Sequence, residues 1–257
     1  MSELGERLTA AHQRAQRALT GDALKKLSTA WAAVDPADES SWLRYVAQAE
    51  ELCQAARTKS GQAAVSYFDR FRRAERRALG LVADGFTVSP PGLAPPGELE
   101  RVLSDYGPGY VRRLVAKGLP VEEAKRLALS GQLGNVTGHI LRPGRNVIAD
   151  GIDRDRRCIG WRRVCSGAAC SFCAMLASRG AVYKSEASAR GSRGASLSTH
   201  GKGTAKGGEV HRACQCHMEP VYARTSRPTP QERRYGALWR EAGGDPIQFR
   251  RLIEGRA

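Results

Sequence analysis

The chain has 257 residues, with 41 Lys and Arg against 26 Asp and Glu, a formal charge of +15. That length suits one or two domains, and no apolar run approaches the roughly 18 residues of a membrane span. Aromatic residues make up 6%, too few for the base-stacking surface of a single-strand-binding protein. The opening stretch, MSELGERLTAAHQRAQRAL, has no apolar core of a secretory leader. The chain is therefore expected to stay in the cell that makes it, or to leave within a larger assembly.

Residues 1–87 read as a helical N-terminal domain. Leu4, Leu8, Ala11, Ala15 and Leu19 recur at helical spacing, and Thr20-Gly21-Asp22 reads as a break before a short continuation to Trp31. A second helix starts after Ser40 or Ser41 with Trp42, Leu43, Val46, Leu52, Cys53 and Ala56 inward. Gly61 interrupts it before a third segment carrying Val65, Phe68, Phe71 and Leu79. Arg70, Arg72, Arg73, Arg76 and Arg77 on that segment read as a solvated face, or else as a contact for acidic protein or phosphate. His12 is expected at the surface and Cys53 in the core.

Residues 88–97 form a Pro/Gly linker that cannot continue a helix. Short helices follow within 98–143: Glu98–Tyr106, Tyr110–Lys117 and Val121–Ser130. From 144 to 225 the composition changes, and this segment carries a charge of +8. It holds short apolar patches at Asn146–Ile148 and Ile159–Trp161 and a Gly/Ser/Lys/Arg tract over 185–208 that reads as a mobile loop. Glu219–Tyr222 reads as a closing strand. In the tail, 226–257, Thr229-Pro230-Gln231-Glu232 is a capping box that starts a helix ended by Gly243-Gly244. The fold class is thus α+β: a helical N-terminal domain, a Pro-rich linker and a small zinc-stabilised C-terminal domain with short strands.

Six of the seven cysteines fall between 158 and 216. An odd count without an export signal argues for metal ligands or redox groups over a disulfide framework. The pattern is Cys170-x-x-Cys173 and, after a long gap, His211-x-x-Cys214-x-Cys216. Two such grips from distant stretches make a closed tetrahedral site, which zinc suits best. The preferred ligands are Cys170, Cys173, His211 and Cys214, with Cys216 as the substitute and Cys165 and His217 behind them. Buried thiols, or disulfides formed after release from the cell, are the plain alternative. A thioredoxin-type role for Cys170-Ser171-Phe172-Cys173 is disfavoured because no βαβ pattern surrounds it. Lys184, Arg190, Arg193, Lys202 and Lys206 are the candidate nucleic-acid contacts, by charge alone. Asp150, Asp153 and Asp155 alternate with arginines and read as a solvated ion-paired stretch. No P-loop, nucleophile elbow or zincin motif is present, and no catalytic residue is expected.

These residues resemble the minor head (head morphogenesis) proteins of tailed bacteriophages named after the Mu F protein, in the type carried by actinobacterial phages. The resemblance rests on Trp161, on Cys170-Ser171-Phe172-Cys173 through Tyr183, on His211-Arg212-Ala213-Cys214-Gln215-Cys216 and on Pro220-Val221-Tyr222. A weaker likeness lies in Gln62 and Tyr67-Phe68-Asp69-Arg70-Phe71-Arg72. Arg145-Asn146-Val147 stands where the family has Arg-Thr-Glu. The resemblance implies a virion protein inside the head near the portal vertex, acting in head assembly or genome packaging and delivery. It implies the portal protein, packaged DNA and major capsid or scaffold proteins as partners, and the host cytoplasm as the place of assembly. The 35 residues after Tyr222 are too few for the enzymatic or toxin domain that many relatives carry, so no such fused activity is expected. The rival readings are a metal-dependent nuclease or toxin-like enzyme using His211 or His217, and a zinc-bearing DNA-binding regulator.

Overall fold

The computed structural model describes residues 1–166, 169–190, 213–224 and 226–255. Helix α1 (Glu3–Trp31) starts at Ser2, whose hydroxyl accepts the amide of Gly5. It runs unbroken through Thr20-Gly21-Asp22, which corrects the expected interruption. A helical Gly costs only about 1 kcal/mol against Ala, and burial of Thr20 and Ala23 on either side offsets that. Helix α2 (Glu39–Ala78), capped by Asp38, likewise passes through Gly61. A Cβ at Gly61 would lie 2.6 Å from the ring of Pro91, so this glycine marks a close approach and not a helix end.

Helices α3 (Glu98–Ser104) and α4 (Pro108–Val115) match the short pieces expected, but α5 (Val121–Arg154) does not stop at Ser130. It continues through Pro143 to Arg154, so the compositional change at 144 falls inside a helix and Asn146–Ile148 is helical. At that point α5 crosses α2 closely: a Cβ on Gly144 would meet Ser60 Oγ at 2.9 Å and Ser60 O at 3.0 Å. No helix or strand occurs between Ala78 and Glu98. This stretch lies on the helices all the same, with Val88 buried beside Phe68.

Two short strands, β1 (Gly160–Val164) and β2 (His217–Val221), pair antiparallel, with Trp161 opposite Pro220 and Val164 opposite His217. Tyr183 adds a bridge to Trp161. Between the strands lie α6 (Ser171–Ser178) and α7 (Glu186–Arg190). The capping box at Thr229 forms as expected and opens α8 (Pro230–Glu241). Helix α9 (Pro246–Glu254), capped by Asp245, is a further element absent from the sequence reading.

The architecture is therefore mostly helical with a small sheet near the C-terminal end. One core joins Phe68 and Phe71 of α2 and Ile148 and Ile152 of α5 to Trp161, Met218 and Tyr222. A second packs Leu27, Trp31, Tyr45 and Cys53 against Leu99, Leu103 and Ile140. A third surrounds the cysteines with Tyr235, Leu238, Phe249 and Ile253 of α8 and α9. Among the described residues no helix is long and apolar enough to cross a membrane.

The expected arginine face of α2 divides. Arg70, Arg73 and Arg77 are exposed, whereas Arg72 and Arg76 are buried. Arg72 Nε donates to Asp155 at 2.6 Å, and its Nη1 and Nη2 donate to Asp84 at 2.7 and 2.8 Å. Asp155 also accepts from Tyr222, so it is a buried anchor and not part of a solvated run.

Two glycines of α5 test the packing. Gly144→Ala should cost roughly 1–3 kcal/mol because the backbone of Ser60 cannot yield. Gly138→Ala, with nothing within 4 Å of its Cβ, should gain up to about 1 kcal/mol from helix propensity. Denaturant unfolding of both variants reads the two signs; equal effects would contradict the close crossing.

Candidate metal centre

Three thiols from two distant stretches converge. Cys173 sits in the first turn of α6, and Cys214 and Cys216 precede or abut β2; their Sγ atoms all lie within 4.8 Å of one another and all three residues are buried. The Cys173 and Cys214 sulfurs are 3.6 Å apart. Tetrahedral ligands at about 2.3 Å from one ion would be separated by about 3.8 Å, so the pair stands at chelating distance with its backbone already in place. The cluster could hold a metal ion.

Local structure explains the convergence. Ala213 adopts a left-handed φ of 59°, a conformation costing roughly 1–2 kcal/mol for a non-glycine residue. Its amide is tied to Gly134 O at 3.0 Å. That turn directs Cys214 inward. Arg145 of α5 then clamps the next residues, donating to the carbonyls of Cys214 and, at 3.1 Å, Cys216. Cys165 follows β1; its amide and carbonyl are held by Gln231 of α8 at 2.8 and 2.9 Å.

Arg163, on β1, is 2% exposed. Its Nη2 lies 3.2 Å from Cys173 Sγ and 3.8 Å from Cys214 Sγ. Its Nη1 reaches Ala189 O at 3.4 Å, and its Nε has no partner among the described residues. Burial opposes its charge, and the neighbouring sulfurs of Cys173, Cys216 and Cys214 overcome that and hold the guanidinium protonated. With protons in place of an ion, Cys216 is the acidic member. Hydrogen bonds from Cys165, Cys173 and Cys214 hold it well below the ordinary thiol range. Cys173 is pushed up by its bonds with the Cys170, Cys214 and Cys216 thiols. The most acidic thiol thus lies among hydrogen-bonded sulfurs beside a buried cation, an environment that favours a thiolate ligand.

Of the expected ligands, Cys173, Cys214 and Cys216 meet. Cys170 stands at the edge as the exposed N-cap of α6, its sulfur accepting the Cys173 amide at 3.4 Å. His211 lies outside the described residues. Cys165, ranked low from spacing, is buried against the trio and bonded to Cys216. Nothing in its sequence neighbourhood marks it, because the β1–β2 pairing alone carries it there. His217 points elsewhere, against His12 and Tyr67. Of the candidate nucleic-acid contacts, Lys184 is exposed and Arg190 ends the backbone of α7. Arg193, Lys202 and Lys206 lie outside the described residues.

A second buried polar layer adjoins the cysteines. Glu219 of β2 is fully buried and accepts from Thr9 Oγ1 at 2.5 Å and Tyr67 OH at 2.9 Å. Arg162 reaches it at 3.4 Å and Glu232 at 2.7 Å. His12, expected at the surface, is buried and stacks on Tyr67 with ring centroids 4.4 Å apart. His12 Nδ1 and His217 Nε2 have no partner among the described residues, and both rings line one small cavity with Gln16 and Arg145.

A mainly helical protein closed near its end by a buried thiolate cluster is the class that this fold and site define. The chain belongs to the VG15 protein family, a phage-related group, whose family model matches residues 6–242. No curated protein and no solved structure matches it.

Desolvation lowers the pKa of His12 to about 4 and that of His139 to about 4. A depressed folded-state value means stability that is complete above the unfolded value of 6.5 and is lost as pH falls towards 4. Each imidazole should contribute on the order of 3 kcal/mol to that loss. Denaturant melts across this window should show His12→Phe flattening the acid limb relative to the parent. An unchanged slope would mean that His12 is solvated.

Proposed function

We propose that the protein is a non-catalytic minor capsid component of a tailed phage. In this reading it sits inside the head at the portal vertex, works in head assembly or genome packaging and delivery, and has one structural zinc ion closing its C-terminal half. The observation that carries the reading is the character of the site: sulfur ligands, buried under α8 and α9 beside a buried guanidinium. A sulfur-rich site closed by a fourth protein ligand cross-links chain segments and would leave no coordination position for water or substrate. Membership of a phage-related family and the resemblance of the Cys/His pattern to that of Mu F-like proteins support the same assignment.

Cys173, Cys214 and Cys216 would hold the ion, with Cys165, Cys170 or His211 as the fourth ligand. When bound, zinc would supply a cross-link between α6 and the entry to β2. The partners follow from surface chemistry. The charge of +8 over 144–225 suits packaged DNA held electrostatically. The long helices α1 and α2 present exposed faces for portal, major capsid or scaffold proteins. Assembly would take place in the host cytoplasm.

Two experiments test this. Elemental analysis of the purified chain should find one zinc, lost in Cys173→Ser and Cys214→Ser and retained in Cys53→Ser, whose thiol lies in the second core. Replacing Lys184, Arg190, Arg193, Lys202 and Lys206 together with Gln should weaken DNA binding and flatten its salt dependence by about 0.9 per lost phosphate contact. The same slope in parent and variant would remove those residues from the interface. DNA cleavage lost on His217→Ala would instead favour the nuclease reading.

A further inference from the structure

Five thiols crowd a site that takes four ligands, and they differ in access. Cys165, Cys173, Cys214 and Cys216 are buried, whereas Cys170 is exposed. Cys170 and Cys173 are the ends of a C-x-x-C segment at the start of α6, one as N-cap and the other one turn inward. The Cys170 sulfur bonds both the amide and the thiol of Cys173. Arg163 Nη2 lies 3.2 Å from Cys173 Sγ. The Cys214 sulfur is also near, 3.6 Å from that of Cys173, but both of these residues are buried, so a soluble oxidant meets the exposed Cys170 first.

We infer that Cys170 and Cys173 form a redox-active dithiol, and that closing it into a disulfide withdraws Cys173 from the metal centre and releases the ion. The second half of this inference rests on the metal reading above; the first does not. The oxidant is a small disulfide such as oxidised glutathione. The Cys170 thiolate attacks one of its sulfurs, forming a mixed disulfide and expelling one thiolate. Cys173 then attacks the Cys170 sulfur, the bond to the oxidant's second half breaks, and a second thiolate leaves. Two protein sulfurs are oxidised and one small disulfide is reduced to two thiols; the departing thiolates take up the protons that Cys170 and a metal-free Cys173 lose, whereas a metal-bound Cys173 carries no proton and the second thiolate takes one from water. Where Cys173 was bound to the ion, its metal–sulfur bond is exchanged for the new sulfur–sulfur bond. Cys165, Cys214 and Cys216 remain, one ligand short of a closed sulfur site. Such a device would distinguish a reducing cytoplasm from an oxidising exterior.

The test uses the full chain loaded with zinc and titrated with oxidised glutathione. Ion release is read with a chromophoric chelator and disulfides by non-reducing peptide mapping. One ion per chain should leave in step with a Cys170–Cys173 link, and dithiothreitol with added zinc should restore both. Cys170→Ser should slow release at least about tenfold. Cys158→Ser should match the parent, since that thiol bonds Gly160 O at 3.0 Å on the other side of β1. A mapped link between any other pair, or equal release from Cys170→Ser, overturns the inference. If the chain takes up no zinc, the metal reading fails by itself. Mapping of the Cys170–Cys173 link in that metal-free chain then upholds or overturns the dithiol.

Discussion

A guanidinium buried to 2% exposure cannot remain in a protein interior without negative charge close by, because the desolvation penalty amounts to several kcal/mol per ion. For Arg163 that charge comes from sulfur. The strand that carries Arg163, the helix that carries Cys173 and the turn that carries Cys214 and Cys216 are therefore positioned by one requirement. An ion bound by three or four thiolates keeps a net negative charge, so metal binding and the buried arginine support each other. Arg145 clamps the same turn through its carbonyls, and α8 and α9 exclude water from the assembly.

The neighbouring residue repeats the logic on the opposite face. Successive side chains of a strand point to opposite sides, so Arg162 faces away from the cysteines towards Glu219 and Glu232. One five-residue strand thus carries two buried cations, each facing its own anionic cluster. The sheet is small, yet it divides a thiolate layer from a carboxylate layer. Helix α1 belongs to the second of these. It turns Thr9, His12, Gln16 and Thr20 inward, because Glu219 needs donors and Tyr67 needs a stacking partner.

That arrangement explains what the amino-acid pattern revealed and what it concealed. The convergence of Cys173, Cys214 and Cys216 was legible because the spacing of the cysteines is local chemistry, although Cys170 stands at the edge of the group. The capping box at Thr229 was legible for the same reason. The inward face of α1 was legible only in part: Leu8 is buried as expected, but Leu4 is 46% exposed, and Ala11 and Ala15 lie outside while the polar residues Thr9, His12 and Gln16 are buried. A hydrophobic period does not register the stretch of α1 that packs through hydrogen bonds at Thr9 and Gln16. Gly21 and Gly61 read as breaks, and the last short helix as ending at Ser130, because propensity is a local preference, whereas at Gly61 and Gly144 the missing Cβ admits Pro91 and Ser60. Tertiary contact overrides the local signal there. Cys165 was undervalued because only the pairing of β1 with β2, set by long-range register, brings it beside Cys216.

The claim at the centre of this account is that sulfur atoms from both stretches surround a single ion. X-ray absorption at the metal edge of the purified, fully reduced protein measures this directly. The account predicts zinc with sulfur neighbours predominating at about 2.3 Å and at most one nitrogen. A shell dominated by oxygen or nitrogen, or protein that carries no transition metal when purified under reducing conditions, would contradict it.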